Sequence, residues 1–305
     1  MKLNRRLVIG GLVGLPFSAT ALRLFASTAL QLGDLELHSL SDGKLVLPGS
    51  FFFDGLPGDE VAQILAAQGL SPDQLEPPCN VTLLRQGDRV VLFDAGAGPG
   101  FVPTAGTLFD SLEALGVAPD AITDIVFTHA HPDHLWGVLD DFEDPAFANA
   151  SYFIGQREWE YWRDPDTVNT IGAERSAFAV GAARRLDAIE ERMTLFTDGQ
   201  EILPGIMAHG SFGHTPGHMC LEVRAGTDAV LIGGDAIGNA HIAFARPDWA
   251  SGADQDPDLA AQTRLRLLDK LSHEQMALIG FHLPDGGIGR AERRDGAYRF
   301  VGVDQ

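Results

Sequence analysis

Short apolar stretches, separated by turns and by longer segments with helical periodicity, recur along the chain. Apolar and polar residues alternate at 35–40, and a second apolar stretch at 45–47 follows a Ser-Asp-Gly turn, which predicts a β-hairpin. The same patterns predict further strands at 81–85, 89–93, 125–127, 150–154, 219–223, 229–232, 276–279 and 298–303, and helices at 108–115, 157–163, 173–193 and 259–271. No linker rich in proline, serine or charge divides the chain. The alternation therefore predicts an α/β fold in one domain with two similar halves.

The first 29 residues differ from the rest of the chain. They carry four basic residues and no acidic one, and Arg5 and Arg6 precede a short apolar stretch at 7–15. This composition predicts a twin-arginine-type signal peptide at 1–29, with residues 30–305 as the mature domain in the periplasm or outside the cell. An uncleaved membrane anchor is the alternative, but the stretch is shorter than the roughly 20 apolar residues of a transmembrane helix.

The predicted mature domain is strongly acidic. The chain has 22 basic and 42 acidic residues, and removal of the four basic residues of the leader leaves 18, for a net charge of −24. A surface of this charge repels nucleic acid and anionic lipid. Neither nucleic acid nor a membrane is therefore an expected partner of the mature domain.

The two cysteines, Cys79 and Cys220, are far apart in the sequence. Each adjoins an apolar run that is typical of a buried strand, so two buried free thiols are the favoured interpretation. A disulfide between them is the alternative for an exported protein.

Residues 128–134 read Thr-His-Ala-His-Pro-Asp-His and directly follow a predicted buried strand. The carboxyl ends of strands in α/β sheets commonly carry the active site. Imidazoles two residues apart, here His129 and His131, can converge on one metal ion, while Asp133 and His134 reach a second. A purely structural role is disfavoured, since clustered histidines repel one another when protonated. The segment therefore predicts half of a two-metal site.

Three later motifs add side chains of the metal-binding type. His214 lies at a turn before a predicted strand, where a lone histidine would say little about function. Asp235 follows two glycines at the end of a buried strand, and a carboxylate there can bridge two cations. His282 follows another apolar strand.

These motifs, together with Asp94 after an earlier strand, resemble those of the metallo-β-lactamase superfamily over essentially the whole mature chain. The Gly-Gly-Asp, the run from His282 to Gly289 and the ending at 298–301 are most similar to the branch that contains methyl parathion hydrolase and related lactonases. The resemblance implies a four-layer αββα sandwich with two similar halves. Relatives are often dimers, so it also favours a homodimer.

The resemblance further implies a role for each motif residue. Asp94 would fix the histidine loop by accepting hydrogen bonds, and His218 would orient the loop of His214. The remaining histidines match no ligand position, and His241 is the one expected to border the pocket. The implied ligands are His129, His131 and His214 for one ion, Asp133, His134 and His282 for the other, and Asp235 as a bridge between them.

Such a site implies hydrolysis by a hydroxide that two divalent ions, zinc by preference, share and acidify to a pKa of roughly 7. Asp133 and Asp235 are the carboxylates assigned to catalysis, with Asp235 passing a proton to the leaving group. The expected substrates are small neutral lactones or esters, with phosphotriesters as a further class. A bridging aspartate disfavours β-lactam hydrolysis, and the acidic chain has no basic patch suited to glutathione.

Aromatic residues are candidates for an apolar substrate pocket over the metals, with ordinary core packing as the alternative for each. The helix at 173–193 would lie over the core or over the site as a lid. The aromatic candidates are Phe51, Phe52, Phe53, Trp136, Trp159, Trp162 and Phe178.

Two other classes of function stay open on the sequence alone. Members of the superfamily with the same motif can bind iron, so an iron-containing dioxygenase is one alternative. A flavin-dependent oxidoreductase would need a flavin domain, which the sequence does not encode. A non-catalytic periplasmic metal-binding protein is the other alternative, although storage and structural metal sites are normally closed by protein ligands.

Overall fold

The structure is a computed structural model that describes residues 28–302. Two seven-stranded β-sheets pack face to face, and helices cover the outer face of each sheet. This arrangement confirms the predicted four-layer αββα sandwich with two similar halves. Most of the predicted signal peptide lies outside the described residues, but Thr28 and Ala29 belong to the first strand and pair with Ser39 and His38.

The first half of the described chain contains nine strands and seven α-helices. In chain order they are β1 (Thr28–Leu32), β2 (Leu35–Lys44), β3 (Leu47–Pro48), α1 (Ser50–Phe53), α2 (Gly58–Ala66), β4 (Gln74–Leu75), β5 (Pro78–Gln86), β6 (Arg89–Phe93), α3 (Leu108–Ala114), β7 (Asp124–Val126), α4 (Pro132–Leu135), β8 (Ser151–Gly155), α5 (Gln156–Arg163), α6 (Thr167–Thr170), α7 (Ser176–Ile189) and β9 (Met193–Phe196). Short 3-10 turns lie at Pro119–Ala121, Trp136–Val138, Ala173–Arg175 and Glu190–Arg192.

The second half follows the same scheme with fewer helices. Its elements are β10 (Glu201–Leu203), β11 (Ile206–Gly210), β12 (Met219–Ala225), β13 (Asp228–Gly234), α8 (Ile242–Ala245), α9 (Pro257–Glu274), β14 (Ala277–Gly280), a 3-10 turn at Asp285–Gly287, β15 (Ile288–Arg294) and β16 (Ala297–Gly302).

Three apolar layers hold the sandwich together. The layer between the sheets combines inward-facing residues of both, such as Phe93 and Val126 of the first sheet with Val230 and Ile279 of the second. A second layer lies between the first sheet and helices α3, α5 and α7, and a third lies between the second sheet and helices α8 and α9. Burial at roughly 25 cal/mol per Å² of apolar surface makes these layers the main source of stability.

In both sheets the first three pairs of neighbouring strands are antiparallel and the fourth pair is parallel. The first sheet has the order β1-β2-β5-β6-β7-β8-β9, and its first parallel pair is β6 with β7. The second sheet runs β10 to β16 in chain order, and its parallel pair is β13 with β14. The carboxyl ends of these four strands meet at one end of the sandwich, where ligand sites of α/β folds are usually found.

Several predicted elements differ from the observed ones. The hairpin predicted around the Ser-Asp-Gly turn is wrong, because β2 runs through these residues and pairs with β1 and β5. Its register against β5 shifts between Ser41 and Lys44, where Gly43 has a φ of 93°, so the tripeptide forms an irregularity inside a strand. Residues 51–53, for which the sequence pattern predicts no strand or helix, belong to helix α1. The helix predicted at 173–193 is divided into α7 and the 3-10 turns on both sides of it.

Two further sequence expectations concern cysteines and membranes. Cys79 and Cys220 are both free and buried, as the favoured interpretation expects. Within residues 28–302, no helix is long and apolar enough to cross a membrane.

Candidate metal centre

All seven predicted metal ligands come together at one end of the sandwich. The histidine motif leaves β7 and turns into α4, whose first residue is Pro132. His214 lies in the loop between β11 and β12, Asp235 directly follows β13, and His282 follows β14. The fold thus gathers four separate loops around one point.

One group of side chains is formed by three histidines. Nε2 of His129 lies 3.1 Å from Nδ1 of His131, which lies 2.9 Å from Nε2 of His214. Burial holds the pKa of His129 and of His131 well below the usual range, so both rings are neutral and offer lone pairs. Neutral imidazoles whose nitrogens face one another match the geometry of a shared metal ion.

A second group surrounds Asp235. One carboxylate oxygen of Asp235 lies 3.2 Å from Nε2 of His134, and the other lies 3.2 Å from Nε2 of His282 and 3.4 Å from Nε2 of His214. Asp133 completes this group, since its Oδ2 lies 3.2 Å from Nε2 of His282. Asp235 therefore stands between the two groups, in position to contact ions in both.

The donor atoms present fit two divalent cations. Oδ2 of Asp133, Nε2 of His134 and Oδ1 of Asp235 are buried and form no hydrogen bond, and buried polar atoms without a partner are costly in a folded protein. Burial opposes protonation of His134, yet Asp235, Asp133 and Asp94 raise the pKa of its ring to about 10. The site therefore concentrates negative charge that bound cations would neutralise, using the nitrogen and oxygen ligands that zinc accepts.

Asp94 supports the histidine loop from beneath, at the place where sequence analysis expected it. It accepts hydrogen bonds from the backbone N–H and hydroxyl of Thr128 at 2.7 and 2.8 Å, and its Oδ2 lies 2.8 Å from Nδ1 of His134. Asp94 itself has a φ of 69°, a conformation that aspartate tolerates better than most residues. Its carboxylate orients the His134 ring so that Nε2 points into the site.

His218 was expected to orient the loop of His214, and it also orients Asp235. The backbone N–H of Asp235 donates to Nε2 of His218 at 3.0 Å, so the ring proton is on Nδ1, which lies 2.7 Å from the Ser211 hydroxyl. Gly234 has a φ of 49°, and a Cβ there would lie 2.7 Å from Nε2 of His218. Glycine is therefore required just before Asp235.

The motif geometry agrees with comparisons to known proteins. A model of the family described as the metallo-β-lactamase superfamily matches residues 76–280, about two thirds of the chain. The chain belongs to the metallo-β-lactamase superfamily. Its matched range contains every residue of the candidate centre except His282.

Solved structures of superfamily hydrolases are similar over nearly the whole chain. The hydrolase AbOPH of the β-lactamase superfamily has 26% identity and a TM-score of 0.84, with 92% of this chain and 98% of that chain covered. AidC, a dizinc quorum-quenching lactonase in complex with a product N-hexanoyl-L-homoserine, has 25% identity, a TM-score of 0.86 and the same coverage. A probable metal-dependent hydrolase from Staphylococcus aureus, at 22% identity and a TM-score of 0.72, shares the fold, with 90% of this chain and 100% of that chain covered. A comparison with curated protein sequences finds no match.

Glu158 supports the candidate metal centre, and sequence analysis did not identify it. Its side chain on α5 is fully buried, and one oxygen accepts hydrogen bonds from the Ala130 N–H at 3.0 Å and the Trp162 indole at 2.6 Å. The other oxygen accepts from the Thr215 hydroxyl at 2.7 Å and the Gly217 N–H at 2.9 Å. Burial raises the pKa of Glu158, and these four donors oppose that rise. One carboxylate thus joins the histidine loop to the His214 loop.

Asp254 supports His214 in a similar way and was also missed. Its Oδ1 lies 2.9 Å from Nδ1 of His214, and its Oδ2 accepts a hydrogen bond from Arg264 at 2.9 Å. Arg264 also donates to the carbonyl of Trp249 at 2.9 Å. Asp254 and Arg264 both follow β13, in segments whose sequence shows no metal-binding pattern. Only the fold reveals their contact with His214.

We expect Asp254→Asn to weaken metal binding by about 10- to 100-fold, the usual effect of removing a carboxylate that orients a metal-bound histidine. The neutral amide has only one acceptor oxygen, so it can no longer accept hydrogen bonds from both His214 and Arg264, and it lacks the negative charge of the carboxylate. Titration of the protein with zinc measures the change. Asp258→Asn, at an exposed aspartate four residues away, serves as the control, and equal affinities of the two variants would contradict the assigned role.

A cavity of about 150 Å³ opens directly above the candidate metal residues. Asp133, His214 and His282 line its floor. The apolar residues of its walls include Leu45, Leu47, Phe51, Phe52, Phe53, Phe101, Phe178 and Ile242. Four of the predicted aromatic candidates, Phe51, Phe52, Phe53 and Phe178, therefore lie in the pocket, and α7 covers one side of the site through Phe178.

The three tryptophan candidates do not line this cavity, which corrects the prediction for them. Trp136 lies under the Arg185 guanidinium at 4.2 Å from the ring centre and packs against α7. Trp159 lies under the guanidinium of Arg163, and Trp162 is buried, where it donates to Glu158. Their position near the motif in sequence did not indicate which way each side chain points.

His241 lies beside the cavity, between two residues that line it, and is buried against Phe53. Burial lowers the pKa of His241 to about 4, whereas an unfolded histidine has its usual value of 6.5. A lowered pKa gives stability that is complete above 6.5 and is lost as the pH falls toward 4. His241→Asn keeps an acceptor for the Ile242 N–H.

We therefore expect the wild type to lose about 2 kcal/mol more unfolding free energy than His241→Asn between pH 7 and pH 5. Urea unfolding at the two pH values measures this difference. His273→Asn, at an exposed histidine on α9, should keep the wild-type pH dependence. Parallel pH profiles for the wild type and His241→Asn would show that His241 is not held neutral by burial.

Proposed function

We propose that this superfamily member is a hydrolase that uses two metal ions to cleave small neutral lactones and esters. The observation that carries the proposal is the convergence of five histidines and two aspartates beneath an apolar cavity, with buried carboxylate and imidazole atoms that form no hydrogen bond. The similarity to AbOPH and to the dizinc lactonase AidC supports metal-dependent hydrolysis. The predicted leader would place this activity in the periplasm or outside the cell.

Each proposed ligand has a defined place. His129, His131 and His214 would hold one ion, Asp133, His134 and His282 the other, and Asp235 would contact both. The nitrogen and oxygen donors of these residues suit zinc. Two such ions, when bound, would supply a hydroxide nucleophile near neutral pH and would polarise the carbonyl oxygen of the substrate.

The chain itself positions the substrate and handles the proton. The phenylalanines of the cavity wall bind the apolar part of an ester or acyl lactone and exclude water. Asp235, whose backbone is fixed by His218, receives a proton during attack and delivers it to the leaving alkoxide. Glu158 and Asp254 keep the two histidine-bearing loops in place, so the geometry is set before substrate enters.

Neutral substrates are favoured by the chemistry of the cavity. Its walls are mainly aliphatic and aromatic, and the overall charge of the chain is −20, which repels anionic substrates. Lactones, aryl esters and alkyl esters all combine an apolar body with a carbonyl that the metal centre can polarise. Phosphotriesters are neutral too and form the second substrate class proposed.

A substrate panel with metal removal tests this proposal. The protein is assayed with acyl lactones, aryl esters and phosphotriesters, as prepared, after chelation and after addition of zinc. We expect turnover of lactones or esters that is lost on chelation and restored by zinc. Turnover that survives complete metal removal would contradict the proposal. Oxygen consumption with bound iron would instead favour a dioxygenase, and metal binding without any turnover would favour a metal-binding protein.

A further inference from the structure

A cysteine lies beside the candidate metal centre and has no part in the function proposed above. Cys79 is on β5 and is fully buried. Its sulfur, a carboxylate oxygen of Asp133 and a ring nitrogen of His282 all lie within 4.8 Å of one another. The resemblance to the superfamily assigned no role to residue 79, and its sequence environment is only that of an apolar strand.

The residues on both sides of Cys79 hold the His282 loop. The carbonyl of Pro78 lies 2.8 Å from Nδ1 of His282. The side-chain amide of Asn80 donates to the carbonyls of Phe281 and Leu283, each at 2.8 Å. The position of Cys79 next to His282 is therefore fixed by the chain on either side of it.

A second observation points to a ligand at this place. Oδ2 of Asp133 is buried and forms no hydrogen bond, although Nε2 of His282 lies 3.2 Å from it and both residues belong to the same cluster as the sulfur. A neutral thiol is too weak a donor to satisfy a buried carboxylate. A cation between Asp133, His282 and Cys79 would satisfy all three groups at once.

We propose that Cys79 is a thiolate ligand of the metal ion held by Asp133 and His282. The inference rests on the proposed function for the presence of that ion. On binding, the S–H bond breaks, the proton leaves to solvent and a sulfur–metal bond forms, with no change of oxidation state. Zinc bonds of about 2.3 Å to sulfur and about 2.0–2.1 Å to nitrogen or oxygen require ligand atoms roughly 3.5 Å apart. Asp133 and His282 already meet this spacing at 3.2 Å, so the adjustment falls on the Cys79 side chain, whose sulfur lies within 4.8 Å of both.

A thiolate ligand changes which metal the site selects. Sulfur is a soft ligand that favours zinc or cobalt, whereas a site of carboxylate and imidazole alone also accepts manganese. Cys79 would thus give the two metal positions different preferences, since the position formed by His129, His131 and His214 contains no sulfur. The Asp133 position is the one that should discriminate against manganese.

X-ray absorption at the zinc edge of the zinc-loaded protein tests the inference. We expect a sulfur shell at about 2.3 Å, with one sulfur for every two zinc ions, and its loss in Cys79→Ser. Cys220→Ser is the matched control, because Cys220 is equally buried but donates to the Gly233 carbonyl in the layer beneath α9. Two bound zinc ions with only nitrogen and oxygen neighbours in the wild type would overturn the inference and leave the proposed function intact. Failure to bind zinc at all would instead count against the proposed function.

Metal competition gives a readout that needs no activity. We expect Cys79→Ser to lose at least about tenfold in zinc affinity at one of the two positions while its manganese affinity is unchanged. An unchanged preference for zinc over manganese in this variant would also overturn the inference. The wild-type absorption spectrum decides the question even if the variant does not fold.

Discussion

Replacement of Asp235 by alanine is expected to lower turnover by well over 100-fold and to reduce the number of bound metal ions. The carboxylate lies 3.2 Å from Nε2 of both His134 and His282 and 3.4 Å from Nε2 of His214. Residues that only support a metal ligand already cost 10- to 100-fold when removed, and Asp235 contacts both groups of ligands itself. Its loss would therefore remove both the proposed bridge between the two metal positions and the proposed proton carrier.

The measurement is kcat and metal content of the variant, with folding checked by circular dichroism. Asp228→Asn is a suitable control, since Asp228 starts the same strand β13 but is exposed at the opposite end. Asp235→Asn should lie near the alanine variant in turnover, because its amide cannot carry the proton. A folded Asp235→Ala that keeps both ions and wild-type kcat would refute the role assigned to this residue.

Replacement of Glu158 should affect stability and metal binding together. Glu158→Ala leaves four buried donors without an acceptor, which we expect to cost on the order of 4 kcal/mol of unfolding free energy. Zinc affinity should fall by about 10- to 100-fold, because the histidine loop and the His214 loop are no longer joined. Urea unfolding and zinc titration measure the two effects.

Glu158→Gln tests the contacts to the two loops separately, because it removes only one of the two acceptor oxygens. Its amide keeps one acceptor oxygen and turns an NH₂ group toward the other pair of donors, so an intermediate loss is expected in both measurements. Glu160→Gln, at an exposed position on the same helix, should behave like the wild type. A Glu158→Ala variant with unchanged zinc affinity would show that this carboxylate supports the fold alone.

The residues of the candidate metal centre were predictable because each occurs in a short local pattern. His129, His131, Asp133 and His134 lie within six residues after one strand, and Asp235 and His282 each follow an apolar strand. Such patterns specify chemistry without knowledge of the fold. The structure adds their convergence and the distances between them.

The supporting residues could not be predicted because their partners are distant in sequence. Glu158 binds Ala130 and Gly217, which lie on different loops, and Asp254 meets His214 across 40 positions. A single acidic residue on a helix or in a loop carries no local sign of such contacts. The same holds for Cys79, whose neighbours Asp133 and His282 come from both halves of the chain.

The fold class was predictable from strand and helix alternation, whereas individual junctions were not. The Ser-Asp-Gly sequence is typical of a turn, but in β2 the pairing with β5 continues beyond it, so tertiary hydrogen bonds overrule the local preference. The directions of Trp136, Trp159 and Trp162 likewise depend on how α5 and α7 pack in the fold rather than on sequence spacing. Helical periodicity identifies a buried face but does not say which cavity an aromatic side chain reaches.

Elemental analysis of the purified protein, prepared without chelators, tests the central claim most directly. If the seven residues hold a dinuclear centre, the protein should contain two zinc-type ions per chain, and Asp235→Ala should contain fewer. A protein that holds a single iron per chain, or no metal even after incubation with zinc, would contradict the account.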